Sequence, residues 1–593
     1  MSFSIQNFPE MIKTNQKNVN KHEDTINVSI LRNITLEPIS IPLEFYANQT
    51  ARKTKIVFGN FDNVFQDSLD NRIISKKTDI VLIVTPLLAL MPKLINEYSS
   101  MSTLEKQSSK EYVLNFVQSI LNNIRSNNKK AKIIWLSFES LSFPAFCIND
   151  LTSKTGQNSY IRSLNSAISI LLSESQNSYH LDADQILRRL GESNFYDWRF
   201  WHLNKALYSR NTLIGIAQHA FSFYNSVTGK TKKCLILDCD NTLWGGIVGE
   251  DSLAGIKLGH EYPSSCYLEF QKAIIELLNQ GVILAICSKN NEQDVLGVFE
   301  LHPDMQLKIT DISAYQINWQ DKATNILLLA EQLNIGLDSM VFIDDSEFEI
   351  NLVRNQLPQV AAIWLDKSKP TEFSRTLKSL RYFDKLTVTQ EDLLKTKMYN
   401  QEVHRKNFQP NNLDEYLSSM EIKANIFIAT QDDIGRISQQ TQKTNQFNLT
   451  TKRYSEQDIS NFIQKSEYDV LAIKITDNFG DMGIVGTTII KYNEKNAEID
   501  TLLLSCRALG RRIESVFLNE IILYCAKKNK DKLIGKFTST SKNIQVKDFY
   551  KSNKFTQTSA FEETKIYTLD LKNPAKCLVD FIAVDNTKLY ENT

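Results

Sequence analysis

The chain has 593 residues, 42% hydrophobic and 23% charged, an ordinary composition for globular protein and too long for one hydrophobic core. Lys plus Arg and Asp plus Glu both number 68, so no net field draws it to nucleic acid or an anionic membrane, and an anionic ligand must be held by local groups. The eight cysteines are scattered without a CxxC pair, which argues against a disulfide framework or a zinc site and predicts reduced thiols in a cytoplasmic protein.

The first ten residues lack the basic-then-apolar layout of a signal peptide, and the longest apolar run, Ile80 to Met91, is interrupted by Thr85 and Pro86 and is too short to span a bilayer. Residues 1–50 are polar, with few periodic segments. Lys55–Gly59, Asp79–Val84 and Lys132–Ser137 then read as short buried strands, separated by helical stretches such as Glu111–Ile124 and Tyr160–Glu174. Strands alternating with helices predict a parallel sheet covered on both faces, an α/β domain over residues 1–228. A second α/β domain is predicted over 229–370, with strands at Lys233–Asp238, Val282–Cys287 and Ser339–Asp344 and helices at Ser265–Asn279 and Asp321–Leu333. A charged helical connector over 371–420 follows. From 421 to 593, long alternating strands (Val470–Asp477, Gly483–Tyr492, Ala497–Ser505) and a helix at Ile513–Lys527 predict an α+β domain.

Four short polar signals occur in order in the second domain, at or just beyond predicted strand ends, where open α/β sheets bind ligands. The first is Asp238-x-Asp240-x-Thr242. Asp238 is the candidate nucleophile toward phosphorus, and Asp240 the group that protonates the leaving oxygen and later activates water. Asn241 and Thr242 are candidate phosphate-binding residues. Two carboxylates so close repel, so a hard cation, Mg2+, is expected, held by Asp238, Asp240, Asp344 and Asp345. Ser288 places a hydroxyl toward a phosphoryl oxygen, and Lys322 supplies positive charge for the transferring group. Any one of these signals alone is usually a solvated turn; the ordered set of four points to chemistry. Only 33 residues separate Ser288 from Lys322, too few for a large cap. The glycines of Trp244-Gly245-Gly246-Ile247-Val248-Gly249 suit a tight hairpin flap over the site.

This order of motifs resembles the haloacid dehalogenase (HAD) superfamily. The detail in Asp240–Asp251, Ile286–Asn291, His302–Met305, Asn318-Trp319 and Asp338–Asp345 looks like its FkbH-like subfamily, as do Thr444–Tyr454, Asp477–Gly486 and Leu504–Arg511 outside that domain. The resemblance implies an α/β multidomain chain: an SGNH-hydrolase-like α/β domain, the HAD-like Rossmannoid domain and a GNAT-like α+β domain. It further implies an enzyme that takes the glyceryl group of 1,3-bisphosphoglycerate, releases phosphate and loads the group on the thiol of an acyl carrier protein through an enzyme thioester, in polyketide-type pathways.

Under that resemblance Cys506 is the candidate thioester cysteine, with Cys287 second. The loop Arg507, Gly510, Arg511 and Arg512 is the candidate site for a pantetheine phosphate, at the start of a helix with free backbone amides. Arg512 stands where the GNAT pattern has a small residue, a departure from coenzyme A binding. The first domain lacks a Gly-Asp-Ser nucleophile, reading Phe58-Gly59-Asn60-Phe61-Asp62, and Asp197 and His202 depart from a DxxH spacing, so this domain reads as a docking or structural element with His202 as a packing residue. The alternatives are a Mg-dependent phosphatase of a sugar or metabolite phosphate, with the last domain as a binding module, and a non-catalytic scaffold.

Overall fold

The computed structural model describes residues 8–17, 24–50, 52–153, 155–386, 389, 398, 420–478, 480–505, 508–540, 542–561, 563–572, 579 and 581–590. They form two compact units, divided in sequence between Ser226 and Val227.

The first unit is built on five parallel strands, β1 (Asp24–Arg32), β2 (Arg52–Phe58), β3 (Ile80–Val84), β4 (Lys132–Leu136) and β5 (Ser178–Leu181), in the order 2-1-3-4-5. Strand β1 lies in the stretch that the sequence presents as polar and aperiodic. Ile26, Val28 and Ile30 alternate into the core, while the interrupting polar residues are satisfied in place. The Asn27 backbone and side-chain nitrogens both donate to Asp79, and the Ser29 hydroxyl donates to the Ile73 carbonyl. The strand at Lys55 is therefore the second, and the segment following the first strand is Asn33–Leu36 rather than Phe58–Asp62. Asn60 serves locally, donating from backbone and side chain to Asp67. His202 is exposed in the last turn of helix Trp198–Asn204, not packed as anticipated, and Asp197 caps that helix by accepting from the Phe200 backbone.

The second unit contains two sheets. One is parallel throughout: β6 (Cys234–Leu237), β7 (Ile283–Ser288), β8 (Ile312–Ile317), β9 (Met340–Asp344) and β10 (Ala361–Trp364), in the order 10-9-6-7-8. Its core runs past residue 370, because Phe373, Leu377, Leu380 and Phe383 join the cluster formed by Phe270 and Ile274. The first part of the expected connector therefore belongs to this domain; most of its remainder lies outside the described residues.

The other sheet comprises β11 (Ile422–Ile428), β12 (Phe447–Asn448), β13 (Tyr468–Asp477), β14 (Gly480–Tyr492), β15 (Asn496–Leu504), β16 (Lys532–Thr538), β17 (Thr556–Phe561), β18 (Thr564–Asp570) and β19 (Ile582–Asp585). Most pairings are antiparallel, but β15 and β16 run parallel, joined through helix Ile513–Lys527, and pair only from Asn496 to Ile499 against Lys532 to Gly535. Beyond that register the chain's own segment enters between them. Phe447 and Asn448 pair with Leu504 and Leu503, the Leu449 amide donates to Leu502, and the Thr538 amide donates to the Leu449 carbonyl.

Candidate active site

Strand β6 is central in its sheet and fully buried, so its end opens at the switch point between β7 and β9. Asp238 follows it, its amide donating to the Ile343 carbonyl of β9 at 3.1 Å, and Asp344 ends β9. Carboxylate oxygens of Asp238, Asp344 and Asp345 lie within 4.8 Å of one another. Lys322 opens helix Lys322–Leu333, whose N-cap is Asp321, and reaches between two of them, with Nζ 2.7 Å from Asp238 Oδ1 and 2.5 Å from Asp344 Oδ2. Lys322 is only 3% exposed. Burial alone would lower its pKa, but the charges of Asp238 and Asp344 prevail and hold it protonated, well above the ordinary lysine value. Asp344 and Asp345 are both pushed up, first by burial and then by repulsion from Asp238. Three hard oxygen donors gathered this closely are a donor set that suits a small divalent cation.

Asp240 is held differently. Its Oδ1 accepts from Trp244 Nε1 at 2.9 Å and the Val248 amide at 3.1 Å, and its Oδ2 accepts from Asn290 Nδ2 at 2.8 Å. The Asp240 carboxyl, expected among the metal ligands, stands outside the Asp238–Asp344–Asp345 cluster and is held toward the flap and β7. Burial raises its pKa against those hydrogen bonds, with Asp238 adding to the rise, the direction a proton donor requires. Asn290, two residues past β7, was missed as a functional residue. Its one signal was its place in the Ser288-Lys289-Asn290 run, and spacing alone does not say which asparagine reaches a carboxylate.

The flap is not a tight hairpin. Gly245 bridges Lys257 in antiparallel fashion, and the excursion between them carries the short helical stretch Val248–Gly255. Glycine is required at 245 by close approach, since a Cβ there would lie 2.8 Å from the Tyr267 ring. Asn241 adopts a left-handed conformation (φ 54°), and its side-chain oxygen accepts from the Gly246 amide, so it shapes the turn. Thr242 is fully buried with its hydroxyl lacking a hydrogen-bond partner. Ser288 ends β7 and is 1% exposed.

In the last sheet, Cys506 and Arg507 lie outside the described residues. Gly510 has φ 77° and Arg512 φ 61°, the left-handed turn that starts helix Ile513–Lys527. Arg511 is 7% exposed and donates to Met482 Sδ, and the Arg512 guanidinium lies over the Phe581 ring. Arg511 thus packs into the interior, whereas Arg512 is exposed. The segment Phe447–Leu449 takes up the hydrogen-bonding edge between β15 and β16 at Leu502–Leu504 and Thr538. Cys287 is fully buried, and burial pushes its thiol up, away from the thiolate that a thioester-forming cysteine needs.

No protein-family model and no curated protein matches the chain. Among solved structures, the N-terminal part of the protein BF1531 from Bacteroides fragilis, described as containing a phosphatase domain complexed with Mg, is similar over 64% of this chain and 99% of its own, with 25% identity and a TM-score of 0.56. The ribosomal-protein-S18-alanine N-acetyltransferase of Escherichia coli (14% identity, 26% of this chain, 98% of its own, TM-score 0.21) and a GNAT-family acetyltransferase of Staphylococcus aureus (16%, 25%, 99%, 0.21) are further matches. No helix among the described residues is long and apolar enough to cross a membrane.

Proposed function

We propose that the second unit is a Mg2+-dependent phosphoryl-transfer enzyme of the HAD type. The observation that carries this reading is the ion pair of buried Lys322 with both Asp238 and Asp344, beside Asp345, at the ends of adjacent parallel strands, with Asp240 held apart by the flap. The similarity to a Mg-complexed phosphatase-domain structure supports it. Asp238, Asp344 and Asp345 would hold the ion, which when bound offsets their mutual repulsion and polarises the phosphoryl oxygens. A carboxylate oxygen of Asp238 forms a bond to phosphorus while the bond to the leaving oxygen breaks, and that oxygen takes the proton of Asp240. Water then attacks the aspartyl phosphate, giving its proton to Asp240 and returning Asp238 as carboxylate. Lys322 stays charged throughout and Ser288 donates to a phosphoryl oxygen.

The narrower reading, from the resemblance to FkbH-like proteins, is that the same centre binds the phosphate of 1,3-bisphosphoglycerate. An enzyme thiolate forms a bond to the acyl carbon, the carbon–oxygen bond breaks, and phosphate departs with the electron pair. The glyceryl group would pass to the carrier through an enzyme thioester, for which burial of the Cys287 thiol favours Cys506 as the cysteine. Incubating the chain with Mg2+, donor and a holo acyl carrier protein should add one glyceryl mass to the carrier, and Asp238→Asn should abolish both that adduct and phosphate release. Phosphate release without any adduct would leave the phosphatase and overturn the transferase.

A further inference from the structure

We propose that Trp319 is the substrate-selecting residue of the phosphoryl-transfer centre, and that its indole face is the platform for a phosphorylated compound whose body, beyond the phosphoryl group, presents a flat or apolar face. This selection rests on the phosphoryl-transfer reading and is independent of the glyceryl donor. Trp319 lies two residues past β8, and the amide of the preceding Asn318 donates to the Ser288 carbonyl at 3.1 Å. The indole is therefore rooted beside the carboxyl end of β7. Strand β8 stands two strands from β6, roughly 10 Å at about 4.8 Å per strand, so a phosphoryl group seated at Asp238 and carrying a single ring reaches it.

Scattered exposed apolar side chains are common on protein surfaces. Trp319 is 70% exposed, but it is tied to the chemistry. Its Nε1 donates to Asn291 Oδ1 at 3.1 Å, the Asn291 amide donates to Asn290 Oδ1 at 3.0 Å, and Asn290 Nδ2 donates to Asp240 Oδ2 at 2.8 Å. One run of hydrogen bonds thus leads from an exposed ring to the proton donor, and gives the ring a set place relative to the reacting groups. An indole whose N–H is already engaged offers a ligand its faces, which favour stacking and apolar contact. The polar groups beside it are engaged too. Asn291 Nδ2 donates to Asp294 Oδ2 at 3.1 Å, and Lys289 pairs with the buried Glu349 at 2.7 Å. What this side of the mouth presents to a substrate is the ring, and that selects by shape and apolar area.

Phenylphosphonate and methylphosphonate share a phosphoryl-like head that cannot be hydrolysed, and differ in the ring. In calorimetric titrations of the full chain with Mg2+, phenylphosphonate should bind about 3- to 10-fold more tightly, the scale of one aromatic contact. Trp319→Ala should bring that ratio close to one. Trp319→Phe keeps a ring face but cannot donate to Asn291, and should retain part of the preference. Equal binding of the two probes by the parent, a ratio unchanged in Trp319→Ala, or a Trp319→Phe chain that discriminates no better than Trp319→Ala overturns the proposal and leaves the phosphoryl-transfer reading standing. Binding of neither probe at millimolar concentration with Mg2+ overturns both, so the two failures are distinguishable.

Discussion

Two side chains and one backbone amide, from two short segments, hold one carboxyl. Trp244 and the Val248 amide fix Asp240 from the flap, and Asn290 fixes it from β7, so removing Asn290 leaves the carboxyl in place on one oxygen and loosens it on the other. Losing a donor also destabilises the ionised form, so the Asp240 pKa, already raised by burial, rises further. Asn290→Ala should lower kcat by roughly 10- to 100-fold, the scale of other supporting contacts at metal sites. Because the first step uses Asp240 as an acid, the alkaline limb of kcat/KM should move to higher pH. Asn290→Asp, which places a carboxylate against a carboxylate, should not rescue it. A pH profile that keeps its limbs, with only a uniform fall in rate, would reduce Asn290 to a packing residue. The candidate residues Asp238, Ser288, Lys322 and Asp344 stood out in the sequence because each sits at the end of a buried apolar strand or the start of the next helix. Asn290 did not, since its role depends on a contact 50 residues away in sequence.

At the scale of elements, the flap depends on the absence of a side chain. Gly245 sits where a Cβ would lie 2.8 Å from the Tyr267 ring and 3.0 Å from Lys257 Cβ, and Tyr267 belongs to the core beneath it. Gly245→Val must displace either the ring or the Gly245–Lys257 bridge, at about 1–3 kcal/mol of overpacking. The preceding residue, Trp244, holds Asp240, so the shift should reach the site. Urea unfolding should show the lost stability, and the hydrolysis rate at saturating substrate should fall more than unfolding explains; parent-like values of both would remove the close approach from the account. The glycines read as a tight hairpin, but Val248–Gly255, two short helical pieces meeting at Ser252 and bearing two of them, offered no periodicity to read. Strand β1 was hidden for the opposite reason: Asn27 and Ser29 broke its apolar pattern, and their partners Asp79 and Ile73 come from distant segments. Strand β8 lies at the sheet edge with Tyr315 partly exposed, so its outer half resembles a surface loop in composition.

At the scale of the whole molecule, each unit has its own apolar cores: residues such as Ile30, Leu82, Val117 and Trp135 in the first, and Leu237, Ile286, Phe342 and Ile473 in the second. Separate cores allow separate unfolding transitions. Glu139 supplies a label for one of them. It is buried in the first unit, accepts from the Tyr196 hydroxyl at 3.0 Å and the Tyr208 hydroxyl at 3.4 Å, and burial pushes its pKa from 4.5 up to about 7 despite those bonds. A carboxyl with a raised folded-state pKa holds its proton in the folded chain after the unfolded chain has released it. The folded state then binds more protons between pH 4.5 and about 7, so stability falls as pH rises through that window and levels off above it. The full difference corresponds to about 3 kcal/mol at 1.36 kcal/mol per pKa unit. Glu139→Gln retains an acceptor for the tyrosines and cannot ionise, so the first unit's transition should lose this pH slope, and the variant should gain on the parent above pH 7. The second unit's transition should be unmoved at every pH. Calorimetric scans at pH 5, 6, 7 and 8 test both statements, with the second unit identified as the transition that Mg2+ shifts upward. A single cooperative transition, in which Glu139→Gln alters the Mg2+-responsive melting as well, would mean that the two cores do not unfold independently.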